Sequence, residues 1–238
     1  YDELPAEDEL RAMRERSGGG ERSWLIDDVA GGALLEAYPV RGVECQCGHI
    51  TVARWERDMA EVLERHTVET PLHKALDGML HAMPLHGDEL VRGWQARVAA
   101  YPPKLAEAMV RHYLSFFPLW SLQERLGARD AALWIIQGLT EAAYNILGVL
   151  AGLNRRYYTT FQFKRMRRFV AGLAVAPERL AERLERIVLV EQAAAGPELA
   201  ALVGETLALV ERHMPQVDTA QVRRQLARRA EPWAPEAG

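Results

Sequence analysis

The run "GVECQCGHITVARWERDMAEVLE", residues 42–64, changes its period halfway along. In its first part Val43, Cys45 and Cys47 alternate with Glu44 and Gln46, the pattern of a half-buried strand with one polar face. From Thr51 onward Val52, Trp55, Met59, Val62 and Leu63 recur at helical spacing behind an N-cap threonine. A strand hands over to a helix here, and the chain differs in texture on the two sides of this junction.

Upstream the texture is α+β. "PAEDELRAMRER" (5–16) carries its acids early and its bases late, the order that a helix dipole favours, and "SGGG" (17–20) ends it. The runs "SWLIDDV" and "ALLEAYPV" read as short strands separated by glycine or proline signals. Downstream the texture is helical nearly to the end. Helices are predicted at about 70–82, 88–100, 103–117, 119–126, 129–153, 160–172, 177–194, 197–213 and 218–229, punctuated by prolines. The expected fold class is therefore a partial α+β unit followed by a mostly α bundle. The expected divisions are 1–66, 67–213, and a last part, 214–238, holding a short helix and a disordered tail.

Composition narrows the function. A formal net charge of −4 argues against general binding to nucleic acid or to a membrane surface. The most apolar region, 131–153, is interrupted by Gln137, Glu141 and Asn145, so no membrane span is expected. The only cysteines, Cys45 and Cys47, lie two apart in a strand. That excludes a disulfide framework and points to a reducing, cytoplasmic setting.

Several chemistries lack their residues. Cys45, Cys47 and His49 share a strand face, but no second pair of cysteines or histidines completes a zinc site. His66, His73, His81, His86 and His112 read as exposed or capping residues, although His73 and His81 lie two turns apart. The sequence contains no nucleophile elbow, Walker A loop or dinucleotide fingerprint.

One segment stands out against the acidic background. "LNRRYYTTFQFKRMRRF" (153–169) carries Arg155, Arg156, Lys164, Arg165, Arg167 and Arg168, and no Asp or Glu occurs from Ala142 to Pro177. Arg155 and Arg156 at a helix C-terminus satisfy the dipole without any ligand. Lys164, Arg165 and Arg168 on a solvated face would normally be mixed with acids. Arginine forks and a lysine point charge near a turn suit phosphate oxygens.

The order "GARDAALWIIQGLTEAAYNILGVLAGLNRRYYTTFQFKRMRRFVAGL" resembles the helical C-terminal region of a bacterial group of nucleotidyltransferase-fold proteins, distantly related to antibiotic nucleotidyltransferases. The run 42–64 is similar to the last strand of their catalytic sheet and the helix after it. The resemblance implies a remnant of a mixed sheet plus a C-terminal helical bundle. It also implies transfer of a nucleoside monophosphate from an NTP to a hydroxyl-bearing small-molecule or protein acceptor, with Mg²⁺ as cofactor. Asn154, Arg155, Tyr157 and Lys164, with Arg156 and Arg168, would contribute to a nucleotide or substrate cleft between the two domains. A catalytic, metal-binding carboxylate would fall at Glu44, unless its position is that of Gln46. The group's Gly-Ser loop and Asp-x-Asp pair would precede Tyr1, so this chain by itself is expected to be inactive. The alternative is an inactive nucleotide- or partner-binding module of the same ancestry, pairing as a homodimer through the apolar helix 129–153.

Overall fold

The computed structural model describes residues 1–118, 130–189 and 192–227. The predicted helix at 119–126 and the predicted C-terminal tail lie outside these residues. The chain divides into two compact units, Tyr1–Arg65 and His66–Gly238.

The first unit opens with α1 (Glu7–Arg16). The Glu9 carboxylate accepts from the Ala6 backbone N–H at 3.0 Å, and the acids of the first turn lie at the positive end of the dipole. A three-stranded antiparallel sheet follows, β1 (Trp24–Asp28), β2 (Ala33–Val40) and β3 (Val43–Ile50), in the order β1-β2-β3. Arg41 and Gly42, both at positive φ, form the two-residue turn that sets Val40 opposite Val43. A turn of this hand matches the twist of the strands it joins. In β3, Glu44 and Gln46 are exposed while Cys45, Cys47 and His49 are half-buried; Val43, beside the turn, is exposed. Thr51 caps α2 (Val52–Leu63) by accepting from the Arg54 N–H at 3.2 Å, and Trp55, Met59 and Val62 form its buried stripe.

The centre of this sheet is ionic. Glu36 of β2, 1% exposed, accepts from Arg14 at 2.6 Å and Arg22 at 2.9 Å, and its other oxygen lies 3.2 Å from His49 Nε2. Glu7 bonds the outer sides of both arginines, and the Arg22 guanidinium holds its carboxyl below the usual carboxylate range. A carboxylate buried at the core of a small unit needs such partners to offset its lost hydration.

The second unit is all helical among its described residues: α3 (Leu72–Leu80), α4 (Asp88–Ala99), α5 (Pro103–Tyr113), α6 (Ala132–Leu153), α7 (Met166–Ala171), α8 (Leu180–Leu189), α9 (Gln192–His213) and α10 (Ala220–Ala227). The axis of the bundle is α6, packed against α5, α8 and α9. Gly148 and Gly152 let α5 approach closely. A Cβ on Gly148 would stand 2.2 Å from the Tyr113 ring, and one on Gly152 would stand 2.8 Å from the Ala106 carbonyl oxygen. Among the described residues α6 alone is long and apolar enough to cross a membrane, and half of its most apolar window is buried inside the unit.

Two helices differ from expectation. The helix predicted at 160–172 shrinks to α7, because Gln162 and Arg165 adopt left-handed conformations that a helix cannot continue through. Pro197, expected in a first turn, lies inside α9.

Candidate functional site

The segment between α6 and α7 carries the concentrated positive charge, and its shape follows from how α6 ends. Arg155 turns left-handed at φ 51°, and the Arg156 N–H reaches back to the Ala151 carbonyl at 2.9 Å. This is a Schellman-type stop, here with arginine where glycine is usual. Asn154 then closes the segment at its base. Its amide NH₂ donates to the carbonyls of Leu150 (2.7 Å) and Val175 (2.8 Å), and its amide oxygen accepts from the N–H groups of Ala174 (2.8 Å) and Val175 (2.9 Å).

Aromatic rings hold the segment's interior. Tyr157 is buried, donates to the Val98 carbonyl at 2.7 Å and packs its ring, tilted by 47°, against Tyr101 with centroids 4.8 Å apart. Burial pushes the Tyr157 phenol up, so it remains a donor throughout the ordinary pH range. Tyr158 meets Phe163, Phe169 and Tyr113 at centroid distances of 5.2, 5.6 and 5.4 Å. These contacts fix a loop that contains three non-glycine left-handed residues, Arg155, Gln162 and Arg165. Such conformations persist only where surrounding packing imposes them.

The outcome is a groove of about 530 Å³, formed within the second unit. Arg156, Lys164, Arg165 and Arg168 line it, together with Lys74 from α3. Among the described residues, none of these cations is paired with a carboxylate. Lys74 donates to the Gln162 side chain at 2.8 Å and lies 5.8 Å from the centre of the Phe161 ring. Asp77 is the groove's carboxylate, outnumbered by cations. Arg167 points elsewhere and pairs with Glu185.

The sequence-predicted residues divide accordingly. Arg156, Lys164 and Arg168 come together in the groove; Arg155 is exposed and does not line it. Asn154 and Tyr157 were expected to touch substrate, but the side-chain polar atoms of both are bonded to the scaffold, although Tyr157 is among the residues that line the groove. Lys164 and Arg168 do not share a helix face, because Lys164 precedes the start of α7. His73 departs from the exposed or capping reading: it is fully buried on α3, with Nε2 2.9 Å from the Thr67 carbonyl. Lys74 was not foreseen; it is far from the basic segment in sequence, and only tertiary packing brings it there.

The carboxylate position on β3 fares differently. Glu44 is exposed, and the Gln46 amide donates to it at 3.2 Å. Among the described residues there is no group of three His, Cys, Asp or Glu side chains placed to hold a metal ion. One solvent-facing carboxylate beside an amide does not make a Mg²⁺ site. Glu36, the other acid near this strand, is already saturated by Arg14, Arg22 and His49.

No protein family matches the chain, and neither a curated protein nor a solved structure is significantly similar to it.

Proposed function

We propose that the helical unit is a phosphate-binding module, and that the chain works as the nucleotide- or substrate-holding part of a nucleotidyltransferase-like protein. The observation that carries this reading is the convergence of Arg156, Lys164, Arg165, Arg168 and Lys74, none of them paired with a carboxylate among the described residues, on one groove with aromatic walls. Guanidinium forks and ammonium groups fit phosphate oxygens, and Phe161 and Phe163 offer apolar surface to a base or sugar. The reaction would form a bond from an acceptor oxygen to the α-phosphorus and release pyrophosphate. Free thiols at Cys45 and Cys47 suit a reducing, cytoplasmic setting.

The second reading, a binding module without catalysis, is favoured by a different observation: the described residues contain no metal-holding carboxylate cluster. Both readings require the groove to bind phosphate. Titration with pyrophosphate and ATP, with and without Mg²⁺, tests this. The Lys164→Ala/Arg168→Ala double variant should bind each at least about tenfold more weakly, with binding that falls as salt rises. Equal binding by the double variant and the parent chain would sink both readings. Pyrophosphate release from ATP would separate the transferase from the module.

A further inference from the structure

Cys45, Cys47 and His49 stand in β3 without a part in the phosphate reading, and their surroundings sort them. All three are half-buried, and β3 is paired residue by residue with β2 from Val43 to Ile50, so their spacing is fixed. Tyr38 lies opposite Cys45 in that register, yet its hydroxyl meets the sulfur of Cys47, which donates to it at 3.4 Å. One phenol therefore spans both thiol positions, and the two thiols share its face of the sheet.

His49 is already engaged at both ring nitrogens: Nε2 lies 3.2 Å from Glu36, and Nδ1 lies 3.3 Å from the Tyr1 hydroxyl. Glu44 and Gln46, the neighbouring oxygen ligands in the strand, project from the opposite face and bond to each other. What remains is a pair of sulfurs. Both cysteines are free, and the Cys45 thiol makes a long 3.8 Å contact with the Val43 carbonyl, an interaction easily given up.

Distance decides what this pair can hold. Side chains two apart on a strand stand about 7 Å apart, whereas a disulfide needs Cβ atoms about 4 Å apart. A fully paired strand cannot shorten by that much, so the two thiols are not placed to join directly. Two metal–sulfur bonds of about 2.3 Å in line reach farther than one S–S bond, and rotation about χ1 of the cysteines supplies the rest. Among the described residues no group of three ligands converges on a metal position. Two thiolates in line therefore suit a soft ion that accepts linear coordination, not Zn²⁺ with its four ligands or Mg²⁺ with its oxygen shell.

We propose that Cys45 and Cys47 form a two-coordinate site for a soft monovalent cation, Cu(I). Binding exchanges two S–H bonds for two copper–sulfur bonds and releases two protons to solvent. Copper stays Cu(I), so neither oxidant nor reductant is consumed. The Tyr38 hydroxyl, which accepts from the Cys47 thiol, turns to donate to the thiolate and holds it in place. The site lies within the first unit and stands independently of the phosphate groove, which lies within the second.

The test is an oxygen-free titration of the full chain with Cu(I), in competition with the chromophoric chelator bicinchoninate, with native mass spectrometry to count ions. One Cu(I) per chain is expected. Cys45→Ser and Cys47→Ser should each weaken binding at least about a hundredfold, and His49→Gln should leave it within about threefold. Redox-silent Ag(I) should compete for the same site, and Zn²⁺ at the same concentration should not. Thermal melting without metal checks the fold of each variant. Where a serine variant does not fold, alkylation of the folded parent chain with iodoacetamide takes its place and should abolish binding. Cu(I) held equally well by either serine variant or by the alkylated chain, one ion shared between two chains, displacement by Zn²⁺, or a loss with His49→Gln as large as with the serine variants would overturn the inference.

Discussion

The hydroxyl of Tyr157 donates to the backbone carbonyl of Val98 across 2.7 Å of buried space. That bond ties the start of the basic segment to α4, whose last turn contains Val98. Tyr157→Phe should retain the ring contact with Tyr101 and lose only this bond. A destabilisation of about 1 kcal/mol is expected in urea unfolding, with little effect on phosphate binding.

Asn154 does more than one bond's work, because it joins the end of α6 to Ala174 and Val175. Asn154→Asp removes the donor side of the clasp and sets a carboxylate against the Leu150 and Val175 carbonyls. It should cost about 2 kcal/mol or more and weaken pyrophosphate binding as well, since the segment it closes carries the cations. A variant as stable as the parent would contradict the clasp.

The contact of α5 with α6 depends on a missing side chain. Gly148→Ala places a methyl inside the Tyr113 ring's van der Waals envelope, so a loss of about 1–3 kcal/mol is expected. Gly93, in the exposed middle of α4, has open space where its Cβ would be. Gly93→Ala should instead gain about 0.5–1 kcal/mol. The pair of variants, measured by denaturant unfolding, separates steric crowding from helix propensity.

Buried His73 makes stability depend on pH. Desolvation lowers its pKa below 6.5, and among the described residues its buried Nδ1 has no partner. The unfolded chain therefore takes up the proton more readily than the folded one. The stability contributed by keeping His73 neutral is fully present above pH 6.5 and is lost as pH falls from there through the lower folded value. His73→Phe should flatten the slope of stability against pH in that window; an unchanged slope would assign the dependence to other groups.

Much of the first unit could be read from residue order. The alternation at 43–47 and the helical period from Val52 mark β3 and α2, because side-chain direction follows backbone period directly. The charge anomaly at 153–169 likewise pointed to the groove, since ions without partners are visible in composition. The shape of that segment was not legible. Its aromatic and basic residues allow a helix, and only packing against Tyr113 and the Asn154 clasp imposes left-handed turns at Gln162 and Arg165. Tyr157 shows the same limit: a tyrosine in a basic turn resembles a ligand contact until its hydroxyl is found bonded to Val98.

The Asn154 clasp has an evolutionary consequence. It pinches the chain at residues 154 and 174–175, so everything between leaves and rejoins the bundle at nearly the same place. Arg156, Lys164, Arg165 and Arg168 all belong to this one excursion. Mutations within it can redraw the groove without disturbing the register of α6 against its neighbours. The groove's charge is therefore portable: one contiguous stretch, exchanged between related chains with the clasp left in place, would carry most of it.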